Sequence, residues 1–569
     1  MRRLSVALLL DLTILGANST SIMARLVPSI PLDDALVGIR VLWSLPAFLR
    51  HPLNPQEALA IVRRRLERRE ADFLDLVRRT IYPNRVSPYR KLLRLAGCEY
   101  GDLERLVGRE GVEGALRILF CQGVYLTVDE FKGRRPVVRG SATLAANPSQ
   151  LRNPYSATHM LRETSGSRGP STPVPADLAW IRERAVNSCL RFDACGGIGW
   201  VHARWGVPGS AVLRLLEYYC IGASSARWFS QVDPAAPGLH PRYRWSARFM
   251  HWGGLLAGVR LPRPVFVPLE DPLPVARWMA GVLREGRTPH LQTFPSSASR
   301  LCLAAMAAGI DLRGAQFTVG GEPFTAARLA VIRQAGAGAT PHYGSEESGR
   351  IGNGCLAPGM PDELHLVHDL IALIQPGPDG ESRGLPPDAL LISSLRRTAP
   401  LILLNTSVGD QAAVAQRACG CPLERVGWAT HLHSIRSFQK LTAGGMTFLD
   451  SDVIRVLEEE LPARFGGGPT HYQLVEDEAA DGKPLLRLLV HPTVGPIDTE
   501  AVADAFLGAI GGGSGVERVM ELHWRQAGLL QVERQPPLAT ASGKILHLHL
   551  GGRPQAGRAP DSRSGATPV

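Results

Sequence analysis

Lysine is nearly missing from this chain. Of its 63 basic residues, only Lys91, Lys132, Lys440, Lys483 and Lys544 are lysine; the rest are arginine. No stretch of about 20 uninterrupted apolar residues occurs, so no membrane-spanning helix is expected. Cysteine is sparse, nine in 569 residues, and follows no repeated framework. That argues against a disulfide-stapled secreted fold and for a reducing compartment, with the cytoplasm as the expected location. Long runs of one charge are lacking too. The formal net charge is +11, yet the densest basic run, Arg63 to Arg65 with Arg68 and Arg69, alternates with Glu67, Glu70 and Asp72. That is the pattern of a solvated helix face, not of a phosphate-reading stripe, and no nucleic-acid partner is expected.

What is present is bulk: 569 residues at 45% apolar and 20% charged content imply two or more domains around large cores. Met1-Arg2-Arg3 and the apolar run Leu4 to Leu10 resemble a leader, but Asp11 interrupts the run and no small-residue cleavage site follows. The segment reads as a structural or peripheral helix, which leaves a weak membrane contact open. Asn54-Pro55-Gln56-Glu57 is an N-cap with proline in the first turn, and helical spacing continues to about 80. From about 160 to 425, apolar strands alternate with helical patterns. Leu390 to Leu395 and Leu401 to Leu404 read as buried strands, and Thr325 as the cap of a helix over 326–335. Past a Gly, His and Thr-rich break comes a small α+β unit. It comprises a helix over 450–462 opening on Asp450 or Ser451, strands near 471–476 and 485–491, a helix over 499–510 opening on Thr499, and strands near 516–533. The expected division is 1–135, mostly helical; 136–427, the core of a large α/β domain; 428–550, a small domain; and 551–569, a disordered tail.

Four short constellations carry chemistry. Thr164-Ser165-Gly166-Ser167-Arg168-Gly169-Pro170-Ser171-Thr172 is a glycine-punctuated hydroxyl loop able to turn N–H groups and hydroxyls toward phosphate; a plain surface loop is the competing reading. Gly320-Gly321-Glu322 precedes a helix and then Tyr343-Gly344-Ser345-Glu346-Glu347. That turn offers an aromatic face for a base and carboxylates suited to Mg²⁺, or else solvated acids at a helix end. Asn405 to Asp410 ends in an acid placed to accept from ribose hydroxyls, or in an ordinary turn Asp. Thr540-Ala541-Ser542-Gly543-Lys544-Ile545 is a tight turn projecting one lysine. Its ammonium would stabilise charge as a carboxylate attacks an α-phosphate, unless it is merely an exposed turn residue.

In this order the four motifs resemble the signatures of the adenylate-forming superfamily of acyl-CoA synthetases, luciferase-like ligases and adenylation domains, over about 160 to 548. Ser87-Pro88-Tyr89-Arg90-Lys91-Leu92-Leu93, Val128-Asp129-Glu130-Phe131-Lys132-Gly133 and Cys419-Gly420-Cys421-Pro422 are similar to the phenylacetate-CoA ligase and acyl-protein synthetase branch. The resemblance implies a large N-terminal domain, a mobile small C-terminal domain and two steps. Acid plus ATP gives acyl-AMP and pyrophosphate, and a nucleophile then displaces AMP: CoA in the leading reading, or a carrier protein, a cysteine or an amine. It also implies roles. Thr164, Ser165, Gly166, Ser167, Gly169 and Thr172 would hold phosphates, and Gly321, Glu322, Tyr343, Gly344, Ser345 and Glu346 would surround the nucleotide. Asp410 would bind ribose, Glu347 Mg²⁺, and Lys544 would serve adenylation. A non-catalytic nucleotide- or acyl-adenylate-binding module is the reading of another class.

Two further groups stand apart. Trp200, His202, Trp228 and Phe229 belong to an aromatic-rich segment suited to an apolar acid pocket or to ordinary core. Cys355, His365, Cys419 and Cys421 offer the donors of a closed tetrahedral zinc site, or pack as small hydrophobes.

Overall fold

Asn54 takes its expected cap, accepting from the Glu57 N–H at 2.8 Å, and Pro55 opens helix α1, Pro55–Glu67. The helical stretch then divides at Arg68, whose φ of −98° and ψ of 10° end α1 before α2, Arg69–Thr80. Helices α3, Pro88–Leu95, and α4, Tyr100–Cys121, follow, the latter kinked at Gly111, where φ is 68°. The computed structural model describes residues 43–157, 160–163, 173–206, 208–223, 227–233, 251, 254–255, 257–438, 441–443, 446–448, 450–478, 484–511, 525, 530–540 and 543–550. The apolar N-terminal run and the tail 551–569 lie outside them.

Twelve strands form the large sheet: β1 Val201–Gly206, β2 Arg227–Ser230, β3 Pro264–Phe266, β4 Pro289–Thr293, β5 Gln316–Val319, β6 Gly338–Ser345, β7 Gly349–Gly354, β8 Leu364–Leu366, β9 Ile371–Ile374, β10 Ala389–Ser394, β11 Thr406–Gln416 and β12 Thr430–Ser437. Their order is β9-β10-β11-β12-β8-β7-β6-β5-β4-β1-β2-β3. From β6 to β3 every pairing is parallel, and from β6 to β9 every pairing is antiparallel. Strand β6 is therefore the junction between the two halves.

The parallel half is covered on both faces, as such sheets require. Helices α5, Leu178–Ala194, and α6, Pro208–Cys220, lie on one side. On the other are α7, Leu273–Arg284; α8, Pro295–Ala307; and α9, Ala326–Gln334. Ala203, Trp205, Phe229, Leu291 and Phe317 pack with Met279, Ala298, Leu301 and Ile332. Thr325 caps α9 as expected, accepting from the Arg328 N–H at 3.3 Å. On the antiparallel half, Phe73, Leu92, Leu116 and Phe120 join Ile371, Leu373, Leu390 and Ile392 in a separate core.

Strand 390–395 is borne out by β10, but Leu401 to Leu404 is not a strand. The four residues are buried, yet only Leu401 is bridged, to Arg152, and Asn405 turns the chain with a φ of 46°. The side-chain amide of Asn405 donates to the carbonyls of Leu116 at 2.7 Å and Val124 at 3.1 Å. Strand β11 starts after that turn, so Asp410 sits inside a strand instead of following one. Strand β12 lies beyond the boundary expected at 427, so the large sheet draws on residues that the sequence reading gave to the small domain.

The small unit opens with α10, Asp450–Arg455, continues through a π-turn at Val456–Glu460 and ends with α11, Leu461–Phe465. Strands β13, Tyr472–Glu478, and β14, Pro484–Val490, match expectation. Helix α12, Thr499–Ile510, is capped by Asp498, not Thr499: its carboxylate accepts from the Glu500 N–H at 2.9 Å. Of the strands expected near 516–533, β15 is Leu530–Glu533; residues 512–524 and 526–529 lie outside the described ones. Strand β16, Leu548–Leu550, lies beyond the expected strands, although Leu546-His547-Leu548-His549-Leu550 alternates with period two, and it completes the order β15-β14-β13-β16. Leu474, Leu486, Leu488, Val502 and Phe506 form this unit's own core. The chain is thus a large α/β domain with a helix-flanked sheet and a small α+β domain. Among the described residues, no helix is long and apolar enough to cross a membrane.

Candidate active site

Parallel strands leave ligand-binding crevices at their carboxyl ends. Here β4 leads to Ser296, β5 runs out into Gly320-Gly321-Glu322, and β6 ends on Tyr343, Gly344 and Ser345. Gly321 has a φ of 86°, a left-handed conformation costly for other residues, and a methyl group added there would lie 3.5 Å from Lys544 Cε. Gly344 is required by space, since a Cβ would run into the Gly349 carbonyl across the hairpin.

The small domain delivers Lys544 to this corner on a tight turn. The Gly543 N–H donates to the Thr540 carbonyl at 2.7 Å, and the Thr540 N–H donates to the Lys544 carbonyl at 2.8 Å. The Gln473 side chain braces the turn, accepting from the Leu538 N–H at 2.6 Å and donating to the Leu546 carbonyl at 2.7 Å. Glu322 joins the domains. Its carboxylate accepts from Ser296 N–H at 3.0 Å, Ser296 hydroxyl at 2.9 Å, Arg328 at 2.9 Å and the Ile545 N–H at 2.8 Å. Beside it, Arg328 Nε lies 2.7 Å from Glu458 Oε1, and His547 Nε2 lies 2.5 Å from that oxygen and 3.1 Å from Arg328 Nη2. Thr325 also donates its hydroxyl to Glu458. Arg328 and Glu458 are each about 1% exposed, so this latch is sealed from water.

Around Lys544 the other acids gather. Tyr343 donates its hydroxyl to Asp410 at 2.7 Å, and Glu347 is ion-paired with Lys132. Burial pushes the Lys544 ammonium below its ordinary pKa, while the Glu322, Asp410 and Glu347 carboxylates pull the other way. Burial, and then the Asp410 and Glu347 charges, hold the Tyr343 hydroxyl well above its ordinary range. Ser345 accepts from the Ser348 N–H at 3.0 Å, and Glu346 lies in the turn that follows β6.

The structure therefore brings Gly321, Glu322, Tyr343, Gly344, Ser345, Glu346, Glu347, Asp410 and Lys544 to one corner. Thr164, Ser165, Gly166, Ser167, Gly169 and Thr172 lie outside the described residues. Trp200, His202, Trp228 and Phe229 do not form one pocket. Phe229 packs with Trp278 on the α7–α8 face, whereas Trp228 and His202 face α5 and α6, because neighbouring side chains on a strand point oppositely. His202 is fully buried against Tyr218 and 2.9 Å from His290; Trp200 stacks beside His290. Ser296, Arg328, Glu458 and His547 also belong to this corner, and no motif marks them. Lys132 joins them through Glu347, and its place among only five lysines is a sequence signal for it.

Cys355, His365, Cys419 and Cys421 converge, with all four donor atoms within 4.8 Å of one another. His365 Nε2 is 3.1 Å from Cys421 Sγ and 3.7 Å from Cys419 Sγ. Its Nδ1 lies 2.6 Å from the Trp428 carbonyl, which fixes the proton there and leaves Nε2 as the lone-pair donor. Burial, with the neighbouring sulfurs, pushes the Cys355 thiol up to about 12. Cys355, Glu363 and His431 form a second grouping that shares Cys355.

No family model matches the sequence, and no curated protein matches it. Among solved structures the chain is similar to a 2-hydroxyisobutyryl-CoA ligase in complex with 2-HIB-AMP, at 14% identity over 85% of this chain and 88% of that one, TM-score 0.48. It is also similar to the amide bond synthetase McbA from Marinactinospora thermotolerans, at 14% identity, 72% and 70% coverage and TM-score 0.38. A third is the anthranilate CoA ligase AuaEII in complex with anthranoyl-AMP, at 13% identity, 68% and 65% coverage and TM-score 0.40.

Proposed function

We propose that this protein is an AMP-forming ligase that activates a carboxylic acid with ATP. The observation that carries this is the convergence of Lys544 with Glu322, Tyr343, Glu347 and Asp410 from four separated segments. A carboxylate oxygen of the acid attacks the ATP α-phosphorus, and the bond to the bridging oxygen breaks, giving acyl-AMP and pyrophosphate. Lys544 supplies a preorganised cation where negative charge accumulates on the oxygens around that phosphorus. Asp410, oriented by the Tyr343 hydroxyl, accepts from ribose hydroxyls, and Tyr343 with Gly344 flanks the adenine. Glu347, ion-paired with Lys132 in this structure, would provide the hard oxygen ligand that Mg²⁺ requires, and the ion would supply charge neutralisation on the phosphates. A thiol, that of CoA first, then attacks the acyl carbonyl, the bond to the phosphate oxygen breaks, and AMP leaves while the thiol proton passes to solvent.

Zinc at Cys355, His365, Cys419 and Cys421 belongs to the same reading as a structural ion. Three sulfurs and one correctly tautomerised imidazole nitrogen match its tetrahedral preference. The site adjoins the start of β12 through Trp428 and so would stiffen the approach to the small domain.

Pyrophosphate exchange into ATP against a panel of acids tests the ligase reading, with CoA added afterward to test the acceptor. Lys544→Ala is expected to lower exchange by about 10²-fold or more, the loss typical of a transition-state charge contact. Unchanged exchange in that variant refutes the role given to Lys544. ATP binding without exchange for any acid would favour the non-catalytic module.

A further inference from the structure

Behind the Tyr343 end of β6 lies a second set of charges that adenylation does not use. His342 points away from Tyr343, and a Cβ on Gly320 would strike its ring, so the imidazole lies directly against the Gly320–Gly321 turn. On its other side Arg214 Nη2 is 3.5 Å from His342 Nε2. The buried guanidinium groups of Arg191, Arg204 and Arg350 also act on this imidazole, each at most 6% exposed.

Three guanidinium groups here, those of Arg184, Arg214 and Arg350, share one carboxylate. Glu217 Oε1 is 2.8 Å from Arg184 Nε, and its Oε2 is 2.8 Å from Arg214 Nη1 and 3.7 Å from Arg350 Nη2. Arg191 instead donates to the Thr318 hydroxyl at 3.1 Å and Arg350 to the Asn353 side chain at 2.9 Å. Arg191 Nε, Arg350 Nε and Asn353 Nδ2 are buried without a hydrogen-bond partner. The nearby imidazoles carry no compensating charge: burial holds His202 down at about 3 and keeps His290 and His342 well below their ordinary range. Among the described residues, Glu217 is the one carboxylate ion-paired with these arginines.

A guanidinium cannot shed its proton to escape such a setting, and an uncompensated buried charge is costly. An excess of buried cations with unmet donors is therefore the signature of an anion taken up from solution. On the other side of that turn, the charges acting on Lys544 are Glu322, Asp410 and Glu347.

We propose that the acid activated by this protein carries a second, distal anionic group, held by Arg191, Arg214 and Arg350 behind the Gly320–Gly321 turn. This rests on the adenylation reading and narrows it from carboxylic acids in general to dianionic ones. The distal group supplies the missing negative charge, and Asn353 orients it.

Pyrophosphate exchange with length-matched pairs tests this: succinate against butyrate, glutarate against valerate, adipate against hexanoate, and 3-sulfopropionate alongside. At least one dianionic acid is expected to exceed its monoacid partner in kcat/KM by about tenfold or more, the worth of a charged hydrogen bond. In Arg191→Met and Arg350→Met that ratio is expected to collapse toward one. Independently of any variant, glutarate or its best homologue is expected to raise the Tm of the unmodified protein above valerate at equal ionic strength. Exchange that favours the monoacids would overturn the distal-anion site and leave adenylation standing. Stabilisation by inorganic phosphate alone, with equal exchange for both series, would make the cluster a structural ion site and sink the proposal. Exchange with no acid of either series would count against the adenylation reading itself.

Discussion

Removing the Glu458 carboxylate isolates what the inter-domain latch contributes. Glu458 reaches from the small domain to Arg328 and Thr325, holds His547 of its own domain, and is about 1% exposed. Taking away one partner of a buried ion pair leaves an uncompensated charge and costs about 3–5 kcal/mol. Here the stranded charge is Arg328, which keeps Glu322 at 2.9 Å, so the lower end applies. About 3 kcal/mol corresponds to about two decades in the ratio of closed to open arrangements. Glu458→Ala should therefore lower the kcat/KM for pyrophosphate exchange by up to about 10²-fold. The thioester-forming step from preformed acyl-adenylate should stay within about twofold. A double-mutant cycle sharpens the assay. If Glu458 works by seating Lys544, then Glu458→Ala in a Lys544→Ala background should cost almost nothing further. Equal fold losses in both backgrounds, or an equal fall in both half-reactions, would refute the latch and reduce Glu458 to a stability residue of the small domain.

Two other outcomes follow from the described chemistry. Burial alone would raise the Glu217 pKa, but Arg184, Arg214 and Arg350 overcome this and hold it at about 2, against 4.5 for an ordinary Glu. Its stabilisation is thus complete above pH 4.5 and is lost as pH falls toward 2. Urea unfolding should accordingly show the gap between the unmodified protein and Glu217→Gln shrinking by about 1 kcal/mol from pH 6 to pH 3.5; a constant gap refutes the assignment. Metal analysis should find about one zinc per chain, lost together with several degrees of Tm in Cys421→Ser; a metal-free protein with an unchanged Tm in that variant would dismiss the site.

Much of the active corner could be read in the sequence because short motifs report local geometry. Gly321 and Gly344 stand where left-handed backbone or close approach forbids a side chain, and Gly543, with a φ of 76°, shapes the turn before Lys544. The same reasoning found the caps at Asn54 and Thr325. The latch could not be read this way. Arg328 and His547 are 219 residues apart, and only the docking of two domains makes them neighbours; His547 and Glu458 are 89 apart and meet through the folding of the small domain. Leu401 to Leu404 misled because an apolar run without a period shows burial and not conformation. Trp228 and Phe229 misled in another way, since adjacency in a strand sends one side chain to each face. The arginine excess was visible as composition, but its concentration around one carboxylate required the helices α5 and α6 to be laid on the sheet.

The position of β6 also bears on which insertions and deletions this chain can tolerate. One strand sets Tyr343 toward Asp410 and His342 toward Arg214, and it fixes both halves of the sheet, pairing Pro341 with Val319 on one side and Tyr343 with Gly352 on the other. A single residue gained or lost within it would exchange the two faces along with their chemistries. Over evolutionary time length changes should therefore accumulate in the loops at the edge strands and almost never between Gly338 and Gly354.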